Sequence, residues 1–220
     1  MAKVSGKVGR ATGAAEQLFG RFRSGPDALA EALDATALND GAAVPLLGPE
    51  ECAHFLNACD ALTYRVATPK LGQPGREVFQ DFELTVDFPE DSPLFDLAKA
   101  LELWLEAALA TMSDPPLAGP VPMNDLIVQR YHPGSRGITP HRDHITYRNL
   151  VILVSLSGRC RFFLCEDRSG AGRREIPMEA GSALLMRAPG FAGREDRPFH
   201  MLCDVTEHRV GLGYRHEVPR

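Results

Sequence analysis

The chain has too few cysteines, wrongly spaced, for a disulfide framework or a zinc ribbon: five in 220 residues, an odd number without paired spacing. Cys160 and Cys165 are accordingly expected as small apolar residues packed within strands. Long apolar runs are missing as well. None approaches the roughly 20 residues that a membrane-spanning helix needs, and the N-terminus lacks the apolar core of a secretory signal. The expectation is a cytoplasmic protein with no membrane partner. A positive excess is also absent: 24 Lys+Arg stand against 29 Asp+Glu, net −5, which argues against coating nucleic acid by charge alone. The balance is uneven along the chain, however. Residues 127–220 hold 15 basic against 10 acidic residues, and residues 31–126 hold 4 against 17. An anionic ligand should prefer the C-terminal half.

What is present is ordinary globular composition, 44% hydrophobic and 24% charged, and a length that suits one domain with a real core. Residues 1–26, rich in Gly, Ala and basic side chains, read as a flexible N-terminal arm with short amphipathic character around Glu16 to Phe22. Residues 27–220 read as the domain, divided into helical support and a lid over 27–124 and a β-rich core over 125–217. Helical spacing marks Asp27–Leu38, Pro49–Leu62 and Ser92–Met112. The segment Arg65–Phe88 mixes Pro and Gly with alternation and is expected to be extended, with the character of a lid. From Asp125 onward the pattern changes to short strands: Asp125–Tyr131, Thr139–His144, Asn149–Leu156, Arg161–Cys165, Glu175–Pro177, Ser182–Arg187, Arg197–Cys203 and Arg209–His216. Eight strands behind helices predict an α+β protein whose core is a double-stranded β-helix, a cupin-like jelly roll.

The chemistry gathers at His141-Arg142-Asp143. Alternate residues of an extended strand face one side, so His141 and Asp143 can present an imidazole and a carboxylate to one point. A mononuclear non-haem Fe(II) site needs one more imidazole, with coordination positions left open. Parity restricts the choice. His144 faces away from Asp143, which leaves His200, His208 and His216. On the last strand Arg209, Gly211, Gly213 and Arg215 share one face, and His208, Val210, Leu212, Tyr214 and His216 share the other. If the arginines face the barrel interior, His208 and His216 cannot, and His200 remains. Each piece alone is common; their conjunction points to iron. Paired arginines opposite such a metal suit the far end of a dicarboxylate whose other end chelates iron, namely 2-oxoglutarate.

Residues Asp125 to Glu217 resemble the Fe(II)/2-oxoglutarate dioxygenase superfamily, and within it the AlkB-like branch. The resemblance lies in Gln129-Arg130-Tyr131 with Pro133-Gly134, in His141-Arg142-Asp143, in Val151 to Gly158 and in Arg209-Val-Gly-Leu-Gly-Tyr-Arg215; Gly181 to Met186 fits the strand before the distal histidine. It implies iron ligation by His141, Asp143 and His200, and 2-oxoglutarate binding by Tyr131, Arg209 and Arg215 with Gln129 alongside. With O₂ as the other cosubstrate, decarboxylation to succinate and CO₂ would accompany hydroxylation of a C–H bond, or demethylation where that carbon is an N-methyl.

The departures are informative. Gln129 stands where the branch has Asn, Gly211 and Gly213 where it has Asn and Thr, and Ile145 where nucleobase-repair members carry an acid that reads the base. The segment from Arg187 to Phe199 looks long and carries Arg187, Arg194 and Arg197, an overhang suited to an anionic substrate group, unless Arg194 and Arg197 simply pair with Glu195, Asp196 or other surface acids. Arg142, His144, Ile145 and Arg148 are expected around the entrance. The favoured expectation is a dioxygenase acting on a small, anionic metabolite or natural-product precursor. An AlkB-like dealkylase of nucleic acid is the alternative, and a non-catalytic metal-binding jelly roll the third.

Overall fold

The computed structural model describes residues 13–218. Four helices come mostly first. α1 (Gly13–Phe19) is followed by α2 (Pro26–Asn39) and α3 (Pro49–Asp60), each of the latter two opening on Gly-Pro with proline in the first turn, where its missing N–H is no loss. Glu51 adds a cap to α3 by accepting from the Gly48 N–H at 3.1 Å. α4 (Pro93–Thr111) starts where the Ser92 hydroxyl accepts from the Leu94 N–H. Its stripe of Leu94, Leu97, Leu101, Trp104 and Leu105 is buried, each large side chain contributing about 1.5–3 kcal/mol through area removed from water.

The strands are β1 (Gly41–Pro45), β2 (Arg65–Val66), β3 (Lys70–Leu71), β4 (Val78–Asp81), β5 (Glu83–Thr85), β6 (Asp125–Tyr131), β7 (Gly137–His141), β8 (Tyr147–Ser157), β9 (Arg161–Cys165), β10 (Arg174–Ile176), β11 (Ser182–Arg187), β12 (Phe199–Cys203) and β13 (Arg209–Glu217). They form two antiparallel sheets, one in the order β1-β11-β8-β13-β6-β5-β2 and the other β10-β9-β12-β7-β4-β3. This is the double-stranded β-helix that the alternating C-terminal half predicts. Val210, Leu212 and Tyr214 on β13, with Leu126 and Val128 on β6 and Ile152 and Val154 on β8, turn outward against α2, α3 and α4. The opposite faces bury Tyr131, Val151, Phe162, Leu184, Met186 and Leu202 between the sheets. That inner space holds the candidate site.

Several expectations need correction. The N-terminal arm, expected to be flexible with a short helix that could dock, is docked from Gly13 on, with α1 as that helix: Phe22 packs edge-on against Trp104 at 5.6 Å, and the Trp104 indole donates to the Ser24 carbonyl at 2.9 Å. Residues 1–12 lie outside the described residues. The supposed lid of 65–88 is instead sheet. β4 pairs with β7, β5 with β6 and β2 with β5, so its backbone groups are tied into both sheets. β7 ends at His141 rather than His144, and β12 begins at Phe199 rather than Arg197. β1 was not expected at all. Gly-Ala-Ala-Val-Pro has little strand propensity, and it pairs only as an edge along β11. Among the described residues no helix is long and apolar enough to cross a membrane.

Candidate metal centre and its arginines

β7 and β12 lie side by side with His141 and His200 as direct cross-strand partners. Their ring centroids are 4.2 Å apart. Asp143 follows two residues after β7 and returns its carboxylate to the same point, with Oδ1 4.0 Å from His141 Nε2 and 3.7 Å from His200 Nε2. One ligating atom from each residue lies within 4.8 Å of the other two. The far ring nitrogens face carbonyls: His141 Nδ1 is 2.9 Å from the Thr139 oxygen, and His200 Nδ1 is 3.4 Å from that of Pro198. A carbonyl only accepts, so each Nδ1 carries the hydrogen and each Nε2 directs a lone pair inward, as a metal ligand must. Phe162 stacks on the His200 ring at 5.7 Å and limits its rotation. Burial, reinforced by the neighbouring His200, pulls the His141 pKa down to about 4, which keeps its imidazole neutral. For Asp143 burial works the other way, but His200, His141, Arg215 and Arg197 together hold its carboxyl below the usual range. Two imidazoles and one carboxylate on one side of a point form a donor set that could hold Fe(II) with further positions open.

Across the interior, the two inward arginines of β13 are not equivalent. Arg215 has its Nε 2.5 Å from Asp125 Oδ2, and its guanidinium lies 4.6 Å over the Tyr147 ring. The Tyr147 hydroxyl is hydrogen-bonded to the same Asp125, and burial pushes its phenol up. Arg215 is thus neutralised in place. Arg209 is 3% exposed and meets neutral groups, the Tyr131 ring at 5.3 Å and the Cys160 thiol. Among the described residues no carboxylate lies within ion-pair distance of it, and its Nε, like that of Arg215, has no hydrogen-bond partner. Burying a guanidinium without a counter-charge costs several kcal/mol, so this position fits an anion such as a ligand carboxylate. Gly211 makes the arrangement possible, since a Cβ there would lie 2.7 Å from Arg209 Nη1. Gln129 is the cross-strand neighbour of Gly211 on β6. His208 is exposed, and His216 points to Asn149 at 3.0 Å rather than to the triad.

The entrance differs more from expectation. Arg187 is no substrate arm. It is 1% exposed and pairs with Asp40 at 2.5 Å and Asp196 at 2.6 Å, and Arg194 joins the same two acids at 2.7 and 3.3 Å. Arg148 pairs with Glu195 at 2.8 Å. These pairs strap the segment between β11 and β12 to the body of the protein. Arg197 alone of the overhang arginines reaches the triad, where its Nη1 donates to the Asp143 carbonyl. Arg142 turns outward over the Phe199 ring at 4.1 Å, and exposed His144 bonds the Thr146 hydroxyl at 2.7 Å. Ile145 is 44% exposed beside them. A narrow cleft of only about 10 Å³ adjoins the triad, lined by Asp143, Tyr147, Val151, Met186, Pro198 and His200. Sequence reasoning missed Asp125 and Tyr147. The only signal for Asp125 was its place opposite Arg215 in the alternation of two strands.

Sequence comparison matches the chain to no protein-family model and to no curated protein. Structural comparison does find likenesses. A prolyl hydroxylase from Trichoplax adhaerens, solved with a hypoxia-inducible-factor peptide fragment, superposes with a TM-score of 0.60 at 13% identity, over 97% of this chain and 95% of that one. A Pseudomonas putida prolyl-4-hydroxylase gives 0.56 at 16% identity over 87% and 100% of the two chains. An oxidoreductase of the 2OG-Fe(II) oxygenase family from Burkholderia pseudomallei gives 0.56 at 11% over 89% and 91%. The class that the fold defines is therefore the jelly roll of the 2OG-Fe(II) oxygenases. At these identities the likeness is one of fold, and residue roles rest on the geometry above.

Proposed function

We propose that the chain is an Fe(II)- and 2-oxoglutarate-dependent dioxygenase that hydroxylates a C–H bond, releasing succinate and CO₂. The observation that carries this is one interior shared by the His141/Asp143/His200 donor set and a buried Arg209 without an acidic partner. Bound Fe(II), with O₂ and 2-oxoglutarate, supplies the oxidising power. The chain's own residues do the rest. His141, Asp143 and His200 hold the metal on one side, and the carbonyls of Thr139 and Pro198 fix the two imidazoles in the ligating tautomer. Arg209, whose guanidinium lies 5.3 Å over the Tyr131 ring, would pair with the far carboxylate of 2-oxoglutarate. Val151, Met186 and Pro198 give the adjoining cleft an apolar wall beside the triad.

The substrate in this reading is a small metabolite or natural-product precursor. An anionic group on it has lost most of its support, because Arg148, Arg187, Arg194 and Arg215 are each matched by an acid, and Arg197 donates to the Asp143 carbonyl. A peptide substrate is a second reading, favoured by the half-exposed Phe79 and Leu71 on the β3–β4 hairpin beside β7 and by the prolyl hydroxylases among the structural likenesses. Dealkylation of nucleobases, the activity of the AlkB-like branch, draws support from the motif alone.

Adding Fe(II) and then 2-oxoglutarate without oxygen should produce a metal-to-ligand charge-transfer band. Its absence from iron-loaded protein would sink the proposal. Succinate release, screened across small acids, peptides and methylated oligonucleotides, separates the substrate readings.

A further inference from the structure

We infer that a cavity beside the metal centre binds a dianionic phosphate group, held by Arg142 and Arg174, and that this is the phosphate of the substrate; the second clause rests on the dioxygenase reading above. The cavity has a volume of about 210 Å³, and Arg142, Arg174, Glu166, Cys165 and Phe199 line it together with the Arg187 strap. One water takes up roughly 30 Å³ of liquid, so a phosphate group has room. The cavity shares Arg187, Arg197 and Pro198 with the cleft at the triad, and Arg197 donates to the Asp143 carbonyl. The two spaces therefore have a common wall. Arg142 stands between two metal-ligating residues but turns to the other side of the strand, toward this cavity.

The charges of the lining residues do not cancel. Within the strap, Arg187 and Arg194 stand against Asp40 and Asp196. What remains of the lining is Arg142, Arg174 and Arg197 against Glu166, an excess of two positive charges. Arg142 rests on the Phe199 ring at 4.1 Å, and Arg174 donates to the carbonyls of Asn39 and Gly41. Among the described residues neither guanidinium has a carboxylate within ion-pair distance. Arg168 approaches the same Phe199 ring at 5.5 Å and donates only to the Arg76 carbonyl, at 3.2 Å, so a further cation adds to the field. An aromatic face attracts each of them by about 0.5–2 kcal/mol but neutralises none, and the like charges repel. A phosphate monoester carries about −1.5 to −2 charges at neutral pH, which matches the excess of two. A carboxylate carries one, and a nucleic-acid backbone one per phosphate. Guanidinium groups meet phosphate oxygens with paired, charge-assisted hydrogen bonds.

The test is calorimetric titration of the full chain with inorganic phosphate at neutral pH, with acetate and a single-stranded oligonucleotide as the competing chemistries. Phosphate should bind saturably and more tightly than either. Arg142→Gln and Arg174→Gln should each weaken it roughly ten- to a hundredfold, the range for a lost hydrogen bond to a charged group, with thermal midpoints at the wild-type value. Arg159→Gln, which removes a cation from a different cavity, should leave phosphate affinity unchanged. With Mn(II) loaded in place of Fe(II), the phosphorus NMR line of bound phosphate should broaden in the wild-type chain and stay narrow in Arg142→Gln. Absence of saturable phosphate binding, wild-type affinity in Arg142→Gln, or tighter binding of acetate or the oligonucleotide overturns the inference. Phosphate that binds without broadening lies away from the metal, which overturns its assignment to the substrate. If phosphate behaves as expected while iron-loaded chain gives no charge-transfer band with 2-oxoglutarate, the phosphate site stands and the dioxygenase reading fails.

Discussion

Arg187 offers a test of how a buried charge is held. Its side chain is 1% exposed, whereas its partners Asp40 and Asp196 are 34% and 58% exposed. Removing the acids and removing the arginine therefore have unequal costs. Asp40→Asn with Asp196→Asn leaves a guanidinium in the interior without counter-charge, and losses of this kind cost about 3–5 kcal/mol. Asparagine is chosen because residue 40 has a φ of 66°, which Asn tolerates. Arg187→Met leaves two carboxylates that water can reach and removes mainly partly solvated hydrogen bonds, for about 1–2 kcal/mol. Urea denaturation of both variants, read by the fluorescence of Trp104, gives the two losses directly. The arginine also donates to the Asp196 carbonyl at 2.6 Å and so anchors the segment leading to His200. Arg187→Met should therefore weaken metal affinity, by about tenfold or more if outer supports behave here as they do at other metal sites. A larger stability loss from Arg187→Met than from the double asparagine variant would refute the reasoning.

Other outcomes follow from the same interior. Arg209→Met should abolish detectable 2-oxoglutarate binding while leaving Fe(II) bound, and Arg215→Met, which removes a cation already matched by Asp125, should change that binding only a few-fold; calorimetry distinguishes them. Gly211→Ala should weaken 2-oxoglutarate binding without unfolding the protein, since the new methyl displaces a flexible guanidinium tip rather than backbone, and its thermal midpoint serves as the control. Trp104→Phe removes the hydrogen bond to Ser24 and part of the contact with Phe22, and should cost about 2–4 kcal/mol in denaturant unfolding.

How much of this was legible in sequence depends on whether the signal is local. The face alternation from Arg209 to Arg215 was readable because strand period is short and Val, Leu and Tyr mark the helix side. The jelly roll was readable for the same reason, repeated over eight strands. Distance in sequence hid the rest. Nothing near Arg187 announces Asp40, 147 positions away, so its guanidinium read as a free arm when it is an internal strap. Arg215 looked equivalent to Arg209 until Asp125 and Tyr147 were seen beside it. The alternation in the 65–88 segment was readable as extended structure, but its strands are two to four residues long, too short to show that they pair into both sheets rather than form a lid.

The neighbouring positions of β7 and β12 have a consequence for how the chain is made. His141 leaves the ribosome about sixty residues before His200, so the metal ligands cannot gather until most of the jelly roll has been synthesised and the long loop between them has closed, at an entropy cost that grows only slowly with its length. During that interval the chain carries two ligands that would bind any divalent ion weakly. Commitment to a single ion comes with β12, when the last imidazole arrives already locked by Pro198 and Phe162. Metal capture by the proposed site would thereby fall near the end of folding, and a nascent chain halted before residue 200 should lose Fe(II) to a mild chelator that the finished protein would resist.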